Sequence, residues 1–366
     1  MKKNQVKQSK IINDFQLEII KQVNSKNIGR NILVSPLSIY HILSLAANGA
    51  ANKTLSEMLN LLGDKNQSDL NKKNELISSI ISQLETVKMA NAIFTKFKPE
   101  ETFLKSVAKY ESTIDELKSV EQVNSWCSKA TNNIIQHIIN SIDNSLMILI
   151  NAIYFKGNWK IPFYKNSTEK LPFYNYNKQE TLIDFMKVTN KFDYFEDENI
   201  QAIKLDYNKD DLSAVIILPK KEKEKDINNY IKNFNTEKYN SIIKALRTEE
   251  VNLRMPKFKI DYDEVLNDSL IKMGMKEAFI NADFSKMKRE IYINISNVIH
   301  KTYIEVDEEG TVAAAVTAID YTFAGSIFDD YEEIFMDVNH PFLFVIRSSY
   351  MPDGHDILFF TKIESL

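Results

Sequence analysis

From Glu308 to Ile319 the chain reads Glu-Glu-Gly-Thr-Val-Ala-Ala-Ala-Val-Thr-Ala-Ile, and after Gly310 every side chain is small or β-branched. Such a run constrains the fold because it is compatible with two states. Alanine favours a helix, whereas threonine and valine favour the pleated state, so local propensity leaves the segment undecided. As a strand it places Thr311, Ala313, Ala315 and Thr317 on one face, small enough to cross a packed core without overfilling it. No proline occurs between Lys257 and His340, although the chain has 8 elsewhere. Nothing in that tract therefore blocks a ladder hydrogen bond in a central strand. The alternative is that Gly310 ends a strand and an Ala-rich helix or loop follows.

Length alone favours two domains, since 366 residues exceed the size at which one hydrophobic core usually stops growing. No Pro/Gly/Ser-rich linker or internal repeat divides the sequence, however, so one intertwined domain over residues 1–366 is expected. With 46 Lys plus Arg against 50 Asp plus Glu, and no long block of like charge, nucleic acid is not an expected partner. The densest charged stretch, Lys220 to Asp226, follows a proline and reads as a solvated loop. Cys127 is the sole cysteine, so no intrachain disulfide is possible, and its apolar helical context points to a buried structural thiol. The N-terminal residues are basic but are followed by mixed residues and Asp14, so no cleavable signal is visible, and no stretch approaches a membrane span. The expected location is cytoplasmic, or outside the cell by release without a standard signal.

The first third reads as helices. Ile11 to Val23 has helical spacing; Ser35-Pro36 opens a helix that ends near Asn48-Gly49; a third runs from Thr54, with Glu57 in capping-box spacing, to Leu62-Gly63. The apolar positions between Glu121 and Asn140 predict another. From Leu146 onward, strand-like runs take over: Met147 to Phe155, Ala214 to Leu218, Val251 to Met255 and Phe342 to Ile346. Helices first and strands later make an α+β protein.

Catalytic signatures are missing. The 8 glycines, at 29, 49, 63, 157, 274, 310, 325 and 354, build neither a nucleophile elbow nor a phosphate-cradling loop. No clustered His/Cys pattern marks a metal site, so neither enzyme chemistry nor a cofactor or metal is expected.

Six stretches, in order, resemble the serpin family of protease inhibitors: Asn31-Ile-Leu-Val-Ser-Pro-Leu-Ser38, Asn151-Ala-Ile-Tyr-Phe-Lys-Gly-Asn-Trp159, Met255-Pro-Lys-Phe-Lys259 with Met273-Gly-Met, Val298-Ile-His-Lys301, Glu308-Glu-Gly-Thr311 and Asn339-His-Pro-Phe342. The resemblance implies a serpin fold of three β-sheets and about nine helices with an exposed reactive-centre loop over residues 308–338. Its hinge would be Glu308, Glu309, Gly310, Thr311, Val312, Ala313, Ala314 and Ala315. After cleavage such a loop inserts into the main sheet, so a serine protease bound as an acyl-enzyme is trapped by a monomeric inhibitor. Ser35, Ser38, Asn151 and His300 resemble the cluster that controls sheet opening; Trp159, Lys257 and Glu308 resemble the group where insertion starts, with Lys257 and Glu308 as an ion pair.

Counting Glu308 as first, the seventeenth residue is Ala324, which puts the reactive bond at Ala324-Gly325; a shift of one gives Phe323, and the lengthened stretch from Gly325 to Asn339 makes Phe328 a further alternative. Ala suits an elastase-like pocket and Phe a chymotrypsin- or cathepsin G-like one. With no Arg or Lys between Glu308 and Arg347, trypsin-like targets are not expected. The alternative within the family is a non-inhibitory carrier or chaperone. The C-terminal Phe359-Phe-Thr-Lys-Ile also lacks the Gly-Arg pair common in the family.

Overall fold

The computed structural model describes residues 15–209, 211–220, 226–290, 292–311, 333–352 and 354–366. Residues 15–26 are helical, and the helix Pro36–Ala47 starts where the sequence places it: Ser35 is extended, its hydroxyl accepts from the Ser38 N–H, and Pro36 occupies the first turn. All of its residues are buried, as expected of a helix that passes through the core and is apolar on every side.

The next helix, Asn52–Leu62, ends as expected at Gly63, which adopts the left-handed conformation at φ 73°. Its start differs. The helix begins two residues before Thr54, and the capping box does not form. Thr54 Oγ1 instead accepts from the Asp283 N–H, while Glu57 Oε2 accepts from the N–H groups of Lys276 and Glu277, at the start of the short helix Glu277–Ile280. The helix expected over 121–140 is Val120–Ala130 alone. Asn132 and Asn133 take positive φ, at 52° and 63°, a conformation asparagine tolerates and a continuing helix does not. The isoleucines beyond them still pack, with Ile134 and Ile138 lying against Cys127.

About ten helices, counting residues 15–26, accompany two hydrogen-bonded ladders among the described residues. The larger has nine strands and includes Leu212–Pro219, Arg247–Pro256 and Phe342–Ser348. Its 17-residue strand Glu180–Glu196 is shared: the first half pairs with Glu169–Tyr174 and the last residues with Ile200–Asp206. Through this strand the nine join into one continuous hydrogen-bonded sheet. The second ladder is the main sheet, in which Val87–Thr95, Met147–Phe155, Asn297–Val306 and Phe258–Val265 lie side by side. Every residue of Met147–Phe155 is buried, as a strand covered on both faces requires. One face meets the large core that includes Leu149, Ile153, Phe155 and Phe359. The other lies under the helix Val120–Ala130, whose Val123 joins Phe94, Ile148, Ile150 and Ile299.

The two central strands of this sheet pair directly and in parallel, from Asn297 with Ile148 to Tyr303 with Tyr154. No strand separates them. Beyond that point they part, and the two-residue strand Gly310–Thr311 sits in the opening, antiparallel to Val306 on one side and to Gly157–Asn158 on the other. No helix among the described residues is long and apolar enough to cross a membrane.

Candidate functional site

The register across the main sheet aligns three polar residues. Asn91 is opposite Asn151, and Asn151 is opposite His300, so one row crosses three strands at mid-sheet. Beneath it runs the start of the helix Pro36–Ala47. Ser38 Oγ donates to Asn151 Oδ1 at 2.7 Å, and the Ser35 N–H donates to His300 Nε2 at 3.0 Å. That bond places the ring proton on Nδ1, which donates to Asn151 Oδ1 at 2.6 Å. The four residues expected in a sheet-opening cluster are thus in direct contact.

The chain of bonds continues through residues that the sequence did not single out. Asn151 Nδ2 donates to Asn91 Oδ1 at 2.6 Å, and Asn91 Nδ2 donates to His41 Nδ1 at 3.1 Å. His41 then carries its proton on Nε2 and donates to Ser78 Oγ at 2.8 Å. Burial holds both imidazoles neutral, lowering His41 to about 4 and His300 to about 3. The arrangement is buried, uncharged and bonded throughout.

At the upper end of the sheet the chemistry changes. Glu308, only 5% exposed, meets Lys257 Nζ at 2.9 Å through Oε2 and accepts from Thr168 Oγ1 at 2.7 Å through Oε1. Burial alone would push its carboxyl up; the hydrogen bonds from Thr168 and Lys257 outweigh burial and hold it below the usual range. Glu309 pairs with Lys165. The Trp159 indole donates to the Asp307 carbonyl at 3.0 Å and stacks on Tyr207 at 4.5 Å between centroids. The Tyr207 hydroxyl in turn lies 2.9 Å from Thr311 Oγ1.

Gly310 is required by close approach: a Cβ there would lie 2.1 Å from the Gly157 carbonyl oxygen. Asp307 Oδ1 accepts from the N–H groups of both Glu309 and Gly310, which turns the chain into the slot. Trp159, Lys257 and Glu308 therefore surround the point where Gly310–Thr311 joins the sheet. Of the remaining expected residues, Val312, Ala313, Ala314 and Ala315 lie outside the described residues, as do Phe323, Ala324, Gly325 and Phe328. Tyr207 and Thr168 had no sequence signal, because their roles depend on pairing across distant strands. Cys127 is buried, and its thiol is pushed up to about 12 by that burial.

Comparison with known proteins decides the family. Residues 10–365 match the serpin (serine protease inhibitor) family model. The chain belongs to the serpin family. Leukocyte elastase inhibitor of Xenopus tropicalis is 30% identical, with 96% of this chain and 97% of that protein covered. Among solved structures, the thermophilic serpin tengpin in its native state is 33% identical, with a TM-score of 0.87 over 98% of this serpin and 94% of tengpin. Human thyroxine-binding globulin complexed with thyroxine gives the same TM-score, 0.87, at 25% identity, with 98% of each chain covered. The proteins this chain is similar to thus include one named as an elastase inhibitor and one named as a thyroxine-binding globulin. Serpins are in general inhibitors rather than catalysts.

Proposed function

We propose that this serpin is a suicide-substrate inhibitor of serine endopeptidases with chymotrypsin-, cathepsin G- or elastase-like pockets, residues 308–338 holding its reactive-centre loop and a C-terminal extension that ends in the strand Ile334–Asp337, paired with Arg247–Pro256. One observation carries the reading: the main sheet is closed at its middle, while Gly310–Thr311 already sits between the end of Asn297–Val306 and the short strand Gly157–Asn158. Extending that antiparallel register two residues at a time pairs Ala313 with Ile304, Ala315 with Thr302 and Thr317 with His300, since Thr311 pairs with Val306. Counted from Gly157, the same residue 317 meets Asn151. The two counts agree because His300 and Asn151 are themselves partners. Thr311, fully buried, defines the inner face of the incoming strand, and alternation gives that face to Ala313, Ala315 and Thr317.

A dozen residues added to the sheet gain about a dozen hydrogen bonds at about 1 kcal/mol net each. That is comparable with the roughly 5–15 kcal/mol that holds an ordinary domain together. Cleavage after Ala324, or alternatively after Phe323 or Phe328, releases the loop, and insertion carries the attached protease away with its acyl bond unhydrolysed. The closed state persists through a barrier, which the mid-sheet cluster supplies. The working form is a monomer in the cytoplasm or released without a standard signal. It needs no cofactor, and its partner is the protease itself.

The second reading, a non-inhibitory carrier, is favoured by the likeness to thyroxine-binding globulin. One experiment separates the two. The protein is mixed with elastase, chymotrypsin, cathepsin G and trypsin, run on denaturing gels, and the released C-terminal fragment is weighed by mass spectrometry. Inhibition requires a detergent-stable adduct with at least one of the first three and a cut after Phe323, Ala324 or Phe328. Clean cleavage without an adduct by all of them favours the carrier.

A further inference from the structure

The cluster at mid-sheet is pinned to the protein interior at three points, and only two of them belong to the expected set. His300 is held by the Ser35 N–H and Asn151 by Ser38. The third strand, Val87–Thr95, is held at Asn91 by His41. Ser38 and His41 are three residues apart in one helix and so share a face. Their side chains reach two adjacent strands that are themselves joined by the Asn151–Asn91 bond. His41 is 1% exposed and Asn91 5%, and the ring is clamped from behind by Ser78 of the helix Gln67–Ile81 and by the edge of Tyr110, 5.1 Å between centroids.

On the insertion reading above, the new strand enters between Met147–Phe155 and Asn297–Val306, which now pair directly. Parting them moves the pair formed by Val87–Thr95 and Met147–Phe155 across the helix beneath, because those two strands share a nine-residue ladder from Val87 with Phe155 to Thr95 with Met147. Both anchors, Ser38 to Asn151 and His41 to Asn91, have to slip in that motion. We infer that His41 is a second latch on the main sheet, a positioning residue that couples the helix Gln67–Ile81 to the sheet and helps to set the rate at which the sheet opens. This inference rests on the insertion reading above, but its test does not depend on inhibition.

The test is hydrogen–deuterium exchange of the intact protein, resolved by peptide. His41→Phe keeps a ring of similar size and loses both hydrogen bonds. At net strengths typical of two buried bonds, exchange in 147–155 and 297–306 should accelerate about 5- to 30-fold. Strands Leu212–Pro219 and Phe342–Ser348, which belong to the other ladder, should be unchanged. His41→Gln, which retains one acceptor and one donor, should recover most of the wild-type protection. Acceleration spread evenly over both ladders, or none in the main sheet, would overturn the latch and leave His41 as a buried structural residue. Should His41→Phe not fold, Ser78→Ala carries the test: selective acceleration of about threefold in the same two strands supports the latch, and unchanged exchange refutes it. Loss of inhibition has no bearing on these outcomes, and failure to form a protease adduct would count against the proposed function alone.

Discussion

The middle and the upper end of the main sheet are built from different chemistry. At mid-sheet, Asn91, Asn151, His300, Ser35, Ser38 and His41 are buried, neutral and bonded to one another. At the upper end, Glu308 faces a Lys257 side chain that is 35% exposed, and an aromatic pair holds the hinge backbone. The contrast shows which part is a barrier and which a guide. A buried network bonded throughout has no cheap partly open state, since each broken bond leaves a buried group unpaired. At the upper end water reaches one side only: Lys257 is partly solvated, while the buried Glu308 keeps its bond from Thr168.

The largest effect expected is at the centre of the row. Asn151→Leu removes one donor and one acceptor and leaves Ser38, His300 and Asn91 each one bond short. The closed state should lose about 3 kcal/mol or more, read as a lower urea midpoint together with faster conversion to an inserted or polymeric form on warming. A stability change below about 1 kcal/mol would show that the row is not the barrier.

Gly310→Val tests the guide. Its side chain would collide with the Gly157 carbonyl, a fault of overpacking worth about 1–3 kcal/mol. The hinge would then leave its slot while the mid-sheet row stayed intact. Protease should cut the variant with less adduct formed per cleavage, measured as a several-fold rise in the molar ratio needed for full inhibition. An unchanged ratio would mean that seating the hinge in advance plays no part.

Acid should separate the two regions, with a smaller effect. The folded-state pKa values of His300 and His41, about 3 and about 4, lie below the ordinary 6.5. The unfolded chain therefore takes up protons first as pH falls through 6.5. Stability contributed by these neutral rings is complete above 6.5 and is lost on going down towards 3, at up to about 1 kcal/mol per histidine and pH unit. His355, also lowered to about 3 by burial, adds to the same trend. Glu308 acts only lower, since its carboxyl is held below the usual 4.5; its contribution is complete above that value and lost beneath it. His300→Leu should flatten the stability profile between pH 6.5 and 4.5, whereas Glu308→Gln should alter only the part below. Identical profiles for the two variants would remove the distinction between the regions.

Much of this was legible from local sequence. Ser35-Pro36, Gly63 and the apolar run Met147–Phe155 each specify their element through nearest-neighbour chemistry, and the structure places them as expected. The first-third reading of helices missed the strand Val87–Thr95, and with it Asn91, because its partner Met147–Phe155 lies far along the chain. Thr54 and Glu57 misled for a related reason. Their spacing fits a cap for their own helix, but tertiary contacts supply better partners at Asp283, Lys276 and Glu277. The false helix over 131–140 could have been avoided, since Asn132-Asn133 is a pair suited to positive φ. His41 carried one usable hint: it follows Ser38 by three positions on the same helix face.

The seated residues Gly310 and Thr311 change the kinetic problem of insertion. Adding a strand to a sheet is slow mainly because the first pair must be found from a distance, with the full loss of chain entropy and little return. Here Thr311 has already paired with Val306 and Gly157. On the proposed mechanism, the nucleus of the new strand is present before any bond is cut, so what would remain is propagation, one pair after another in a register already chosen. The protein resembles a fastener whose first teeth are engaged, and cleavage has only to free the far end.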